Sequence, residues 1–485
     1  MILEANSVAV QWLLDWYLET RKKTLEICQH LTTEDHVVQS SPDVSPPSWH
    51  LGHTTWFFET FILQEFKSDY LPFDEGFAFI FNSYYESAGQ RIQKANRGLL
   101  GRPTVAELHR YRQSVDESIE QLLSHLAQNS NSHSELNASE TGSGDGPQSG
   151  FASEQSESSS SATEPTHLKS VLALIELGIH HEKQHQELLL MDIKHNFFCH
   201  PLYPIYGVDP SELLGNLSTS GVSWLMEKND PTMYHTRMPF LAGNSEMEKD
   251  LLKPFFESAF LRNNGILFDH GGPALLGHGK DGFGYDNEFP EHPVYQVPFW
   301  IASEPVSNGD FLEFLEAGGY NDFRYWLSAG WQWVQENEKS HPYYWRKKGD
   351  TWQQWSLQGW VDLDPAEPVQ HLSYYESDAY SSFAGKRLPT EAEWELAARL
   401  AALKGFPFHR GRVWEWTASA YRPYPGFKPA AGAVGEYNGK FMMDQMVLRG
   451  ACDLTPLQHS RITYRNFYPA SSVWQMSGLR LAEDA

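Results

Sequence analysis

Residues 180–195, HHEKQHQELLLMDIKH, hold four histidines and three acids in a stretch whose apolar positions recur at helical spacing. His181 and His185 are four apart. On a helix they share one face, about one turn from each other, and can present imidazoles to a single metal ion. His180 is rotated about 100° from His181, and His195 lies at the helix end, so neither joins that face easily. A helical pair needs ligands from elsewhere. A second helical stretch, SPPSWHLGHTTWFFETFIL, offers His50 and His53. His53 falls on the apolar side marked by Trp56, Phe57, Thr60 and Phe61, whereas His50 follows Trp49 at a helix start expected to fray. The candidate ligands are therefore His53, His181 and His185. Three imidazoles without a carboxylate leave coordination positions open, which suits zinc hydrolysis or ferrous-iron oxygen chemistry. HEKQH has the H-E-x-x-H form of zinc proteases, but nothing downstream completes a protease site.

Those histidines need rigid helices to hold them. Apolar periodicity predicts helices at about 7–33, 47–66, 104–127 and 166–197. Thr104 is the expected N-cap of the third, with Glu107 as its capping-box partner. Four helices of this length make a bundle over 1–200. Within it, 126–167 is rich in Ser, Gly, Asn and Glu and nearly devoid of apolar residues, so it is expected to be a disordered insert. A linker-like stretch at 201–224 follows. From 225 to 485 the pattern changes to short runs such as HPVYQVPFWIAS and QMVLRGAC, two expected helices (SNGDFLEFLEAG and TEAEWELAARLAAL) and long aromatic loops. The fold class expected is therefore α+β multidomain.

The bulk composition narrows the partners. At 485 residues two domains are expected. With 62 acids against 37 bases the formal charge is −25, which repels nucleic acid and anionic lipid. Small polar or cationic partners fit better. Cys28, Cys199 and Cys452 have no paired spacing, so neither a disulfide framework nor a thiolate zinc site is expected. The N-terminal stretch lacks the basic and continuous apolar regions of a signal peptide, and no run reaches the roughly 18 apolar residues of a membrane span. A cytoplasmic location is expected.

Four ordered motifs in the second half are DNEFPEHPVYQVPFWIASEPVSNGDFLEFL, KRLPTEAEWELAA, RVWEWTASAYRPYPGF and VLRGACDL…RITYRNFYPASSVWQMSGLRLA. Together they resemble the formylglycine-generating-enzyme (sulfatase-modifying factor) domain, a C-type-lectin-like α+β fold with little regular structure. The family's formylglycine generators act through a copper-binding cysteine pair; Cys452 stands alone, so that activity is not expected. SWHLGHTTWFFETFIL and HHEKQHQE resemble the DinB-like four-helix bundle. In this order the two domains resemble the sulfoxide synthases of ergothioneine biosynthesis, the EgtB family, over nearly the whole chain outside the insert.

The resemblance implies a non-haem Fe(2+) enzyme. Such enzymes use dioxygen to join a thiol to the imidazole carbon between the two nitrogens of hercynine, N-alpha-trimethylhistidine, giving a sulfoxide. It places the iron ligands on His53, His181 and His185, the same set that spacing selects. It places Gln184 beside the histidine-derived substrate, and Asn466 and Phe467 at its trimethylammonium and carboxylate. It also implies a proton-donating tyrosine: Tyr84 or Tyr85 of FNSYYES as used by one branch, then Tyr421 as used by another. The thiol donor is cysteine or gamma-glutamylcysteine, with the FNSYYE match favouring cysteine. Arg91, Arg97, Arg461 and Arg465 are the arginines available for its carboxylates. The site is expected between the two domains. A selenoneine synthase, an ovothiol-type synthase and a non-catalytic metal- or ligand-binding protein are the alternative readings.

Overall fold

A computed structural model describes residues 7–139, 164–208, 246–279, 282–430, 433–436 and 438–485. The chain divides into two compact units, one of Ile2–Ser83 with Ala88–His185 and one of Tyr84–Ser87 with Gln186–Ala485.

The first unit is helical. Helix α1 spans Ser7–Cys28. Helix α2 spans Pro47–Phe58 and continues through a π-helical turn at Glu59–Leu63 to Phe66. Short α3 spans Phe77–Phe81, α4 spans Val105–Ser139 and α5 spans Glu164–Cys199, of which the part up to His185 belongs to this unit. Pro47 at the first turn of α2 has a suitable φ and no N–H to leave unpaired. Every residue of Pro47–Phe58 is buried, the polar Ser48, His50, His53, Thr54 and Thr55 included, so the helix is central to its unit. The α4 capping box forms: the Thr104 N–H donates to Glu107 Oε2 at 2.7 Å, and the Glu107 N–H donates to Thr104 Oγ1 at 3.2 Å.

The α4 helix runs past the expected end near 127. Extending an established helix costs little per residue, so it continues through Asn- and Ser-rich sequence to Ser139. The rest of the expected insert, 140–163, lies outside the described residues, and α5 resumes at Glu164. Of the expected linker and start of the next domain, 209–245 also lie outside them.

A buried charge network ties the bundle together. Glu182 on α5 accepts from Arg21 Nη1 at 2.9 Å, Arg112 Nη2 at 2.8 Å and Thr24 Oγ1 at 2.6 Å. The two guanidinium groups hold the Glu182 carboxyl down at about 2 against the opposing effect of burial.

The second unit is α+β. Helix α6 (Glu246–Ser258) precedes a four-stranded antiparallel sheet ordered β1-β2-β5-β13, with β1 at Ala259–Arg262, β2 at Gly265–Phe268, β5 at Phe299–Ala302 and β13 at Ala482–Asp484. Between β2 and β5 lies the hairpin of β3 (Gly272–Leu276) and β4 (His292–Gln296). The expected helices are α7 (Asn308–Glu316) and α10 (Glu391–Lys404), each opened by a capping box, from Ser307 and Thr390. Leu252 and Phe255 of α6, Phe268, Phe299 and Ile301 of the sheet, and Leu396 and Leu400 of α10 form one core.

Where long aromatic loops were expected, the structure has α8 (Ser328–Glu336), a three-stranded sheet of β6 (Trp345–Lys348), β7 (Thr351–Ser356) and β8 (Gly359–Asp362), and α9 (Tyr374–Phe383). These strands mix Trp with Gln, Lys and Asp and are mostly half-buried, so their apolar alternation is weak. The last sheet is ordered β11-β10-β9-β12, with β9 at Trp414–Ala420, β10 at Met446–Gly450, β11 at Asn466–Tyr468 and β12 at Ser477–Leu479; β12 runs parallel to β9. Among the described residues no helix is long and apolar enough to cross a membrane.

Candidate functional site

In the helical unit, His53 of α2 meets His181 and His185 of α5, with ligand nitrogens all within 4.8 Å of one another. His53 Nε2 lies 3.1 Å from His181 Nε2. Two nitrogens bound to one ion at about 2.1 Å and near right angles would lie about 3 Å apart, so the spacing fits a shared ion. His53 Nδ1 lies 2.6 Å from the Phe81 carbonyl oxygen, to which it must donate. That bond commits the proton to Nδ1 and leaves the Nε2 lone pair for a metal. Gly52 makes the contact possible, because a Cβ there would sit 2.0 Å from the Phe81 ring.

Burial is the largest influence on all three rings and disfavours the charged form. His181 is pushed down to about 3, and His53 and His185 well below the usual histidine value, with neighbouring imidazoles adding to the effect. Neutral imidazoles are the form that binds metal. Aromatic rings enclose the cluster. Trp49 stacks on His53 at 4.5 Å, Phe57 lies 4.7 Å from His181, and the Arg97 guanidinium sits 3.3 Å over Trp49.

His50 is not at a frayed end. It is buried in the first turns of α2, and its Nδ1 lies 2.8 Å from His185 Nδ1. Pro46 and Pro47 anchor this start, which periodicity alone did not reveal. His180 stays apart, packed edge-on against Trp16 at 5.2 Å. Half-buried Gln184 directly precedes His185 on α5.

The second unit gathers another set of expected residues. His195 lies there, its Nδ1 3.2 Å from Cys199 Sγ. Tyr84 and Tyr85 stack at 4.6 Å, Phe441 meets Tyr84 edge-on at 5.1 Å and lies 6.0 Å from Phe467, and Phe467 stacks on Tyr421 at 4.0 Å. All three candidate tyrosines thus belong to one chain of rings. Asn287 Nδ2 donates to the Tyr421 hydroxyl at 2.9 Å, which leaves the phenol's own proton to be given elsewhere. Burial raises all three phenols, and the neighbouring Asp286 carboxylate raises them further. They are therefore protonated at neutral pH. Asn466 lies beside Phe467 at the start of β11, its Oδ1 accepting from the Phe467 N–H at 2.9 Å. Asp286, Asn287 and Phe441 had no local sequence signal; only loop topology places them here.

The arginines divide. Arg465 makes a two-point ion pair with Glu391 at 2.9 and 3.0 Å and donates to the Asn287 and Arg422 carbonyls. Arg461 is paired with Glu288 at 2.5 Å. Both guanidinium groups are taken up by buried partners, which leaves little for a donor carboxylate. Arg97 is buried over Trp49 and donates to Ser45 Oγ at 2.9 Å. Arg91 is exposed and donates to the Ser83 carbonyl at 3.1 Å. Cys28, Cys199 and Cys452 form no disulfide, and burial pushes the Cys452 thiol up, away from the thiolate that copper binding needs.

A three-histidine cluster that could hold a metal ion thus lies in a helical bundle, in a chain that continues into a small-sheet α+β unit. Residues 17–189 match the DinB superfamily, and 256–410 match the sulfatase-modifying factor enzyme 1-like domain. Both domains are thus carried by this one chain. It is 34% identical over 241 residues to a hercynine oxygenase of Mycobacterium tuberculosis, covering 41% of this chain and 56% of that protein. It is 33% identical over 260 residues to a hercynine oxygenase of Mycolicibacterium smegmatis, covering 44% and 60%. It is 30% identical over 280 residues to inactive C-alpha-formylglycine-generating enzyme 2 of Mus musculus, covering 44% and 84%. The chain thus spans little more than half the length of the hercynine oxygenases it matches.

Proposed function

We propose that the protein is a hercynine oxygenase: an Fe(2+)- and dioxygen-dependent sulfoxide synthase that joins hercynine to a thiol, with cysteine as the donor. The single observation that carries this reading is the convergence of His53, His181 and His185, in a chain similar to hercynine oxygenases. The donor set fits Fe(2+), since three neutral nitrogens without a carboxylate leave positions for substrates. When bound there, iron would supply the one-electron chemistry that dioxygen needs and hold the substrates close together.

The chain's own residues have separate tasks in this reading. His53, His181 and His185 hold the ion, and the carbonyl of Phe81 fixes the His53 tautomer. The Phe467 ring and the Asn466 amide suit a quaternary ammonium, which cannot donate hydrogen bonds and is held by rings and oxygen dipoles. Gln184, with an amide that can donate and accept, is placed beside the hercynine imidazole. Tyr84 or Tyr85, and after them Tyr421, supplies the proton that directs the reaction to the sulfoxide and away from simple oxidation of the thiol.

Free cysteine as donor agrees with the arginine geometry, because Arg461 and Arg465 already serve Glu288 and Glu391. A selenium donor with the same hercynine pocket is the second reading. A donor panel of cysteine, gamma-glutamylcysteine and a selenosugar, each with hercynine and read by product mass, distinguishes them.

A further inference from the structure

We infer that His50 is a positioning residue for the metal centre, holding His185 by a ring-to-ring hydrogen bond; this rests on the reading of His53, His181 and His185 as ligands. The Nδ1 atoms of His50 and His185 are 2.8 Å apart, a distance at which one must carry the proton and the other accept it. If His185 gives Nε2 to the ion, as His53 does, its neutral ring carries its proton on Nδ1. His50 Nδ1 is then the acceptor. The arrangement repeats the one at His53, whose Nδ1 is 2.6 Å from the Phe81 carbonyl oxygen. Two ligands thus have their outer nitrogen engaged, one by backbone and one by His50.

The fold holds His50 in place for this task. His50 and His53 are three apart on α2 and share a face, so one ring reaches the ion while the other supports the ligand across from it. His50 is 3% exposed, and the Trp49 ring lies beside all three of His50, His53 and His185, at 5.8, 4.5 and 6.0 Å. Groups that orient a metal-bound histidine typically contribute 10- to 100-fold in metal affinity.

The test compares His50→Phe, which keeps ring bulk without an acceptor, with His50→Asn, whose amide oxygen lies near the position of Nδ1. Anaerobic Fe(2+) titration gives affinity, the absorption spectrum of the Co(2+)-substituted protein reports the ligand field, and circular dichroism checks the fold. The expected result is a 10- to 100-fold loss of Fe(2+) affinity and a shifted Co(2+) spectrum in His50→Phe, largely restored in His50→Asn. Wild-type affinity in folded His50→Phe overturns the inference, as does His50→Asn binding no better than His50→Phe. Complete loss of stoichiometric metal in His50→Phe, matching His53→Ala, makes His50 a ligand and also overturns it. Wild-type protein that binds Fe(2+) with this dependence on His50, yet consumes no dioxygen with hercynine, removes the oxygenase reading and leaves the inference standing.

Discussion

His53 and His181 point their Nε2 atoms at each other across 3.1 Å, although 128 residues separate them in the chain. Burial keeps both rings neutral, so at neutral pH each has one nitrogen lone pair free to face the same space. Removing one ligand should therefore remove the ion. His53→Ala, and separately His181→Ala, is expected to lower bound Fe(2+) from about one per chain to near zero, measured by metal analysis after anaerobic loading. Unchanged iron content would mean that these residues are not the ligands.

Glu182 is the next residue after His181, yet it serves the bundle. Glu182→Gln leaves Arg112 buried without its countercharge and Arg21 with Asp116 alone, and should cost about 3–5 kcal/mol in denaturant unfolding. Its folded-state value, about 2, lies below the 4.5 of an ordinary carboxyl. The unfolded chain therefore takes up the proton first as pH falls, and the stabilisation, complete above about 4.5, is lost progressively toward about 2. Wild-type stability should fall through that window, and the Gln variant should show a flatter profile.

Glu187 behaves oppositely. It is buried in the second unit, where it accepts from Trp414 Nε1 at 2.7 Å and Thr455 Oγ1 at 2.5 Å, and burial raises it from 4.5 to about 7. The folded protein keeps a proton that the unfolded chain has released, so stability declines as pH rises from about 4.5 to about 7 and the full loss persists above that. Thermal unfolding of Glu187→Gln should lack this decline. An equal decline in variant and wild type would assign it to another group.

The tyrosine cluster predicts a change in product more than in binding. Tyr84→Phe and Tyr85→Phe should shift cysteine consumption from the sulfoxide toward cysteine sulfinic acid, by about 10-fold or more in product ratio at the position that supplies the proton. Tyr421→Phe should have a smaller effect, and hercynine binding should stay within about 3-fold in all three. Product ratios unchanged in all three variants would exclude these phenols as the proton source.

Much of the three-histidine cluster could be read from the sequence because its geometry is local. The four-residue spacing of His181 and His185 becomes one helical face, and the apolar side of 47–66 selected His53. His50 was misplaced because periodicity does not register that Pro46 and Pro47 anchor the start of α2, which buries the ring. Arg461 and Arg465 could be read as free cations only until Glu288 and Glu391 appeared, 173 and 74 residues away. The ring cluster joins 84–85 to 421, 441 and 467, and no spacing rule reaches across such separations. The sheet of β6–β8 escaped because its strands are half-exposed and lack clean alternation.

The central claim is most directly tested by dioxygen consumption and product mass with purified, Fe(2+)-loaded protein, hercynine and cysteine. The account predicts hercynine-dependent dioxygen uptake and a product whose mass equals hercynine plus cysteine plus one oxygen, less two hydrogens, both abolished in His53→Ala. Iron-loaded, folded protein that consumes no dioxygen with hercynine and any of the three donors would contradict it.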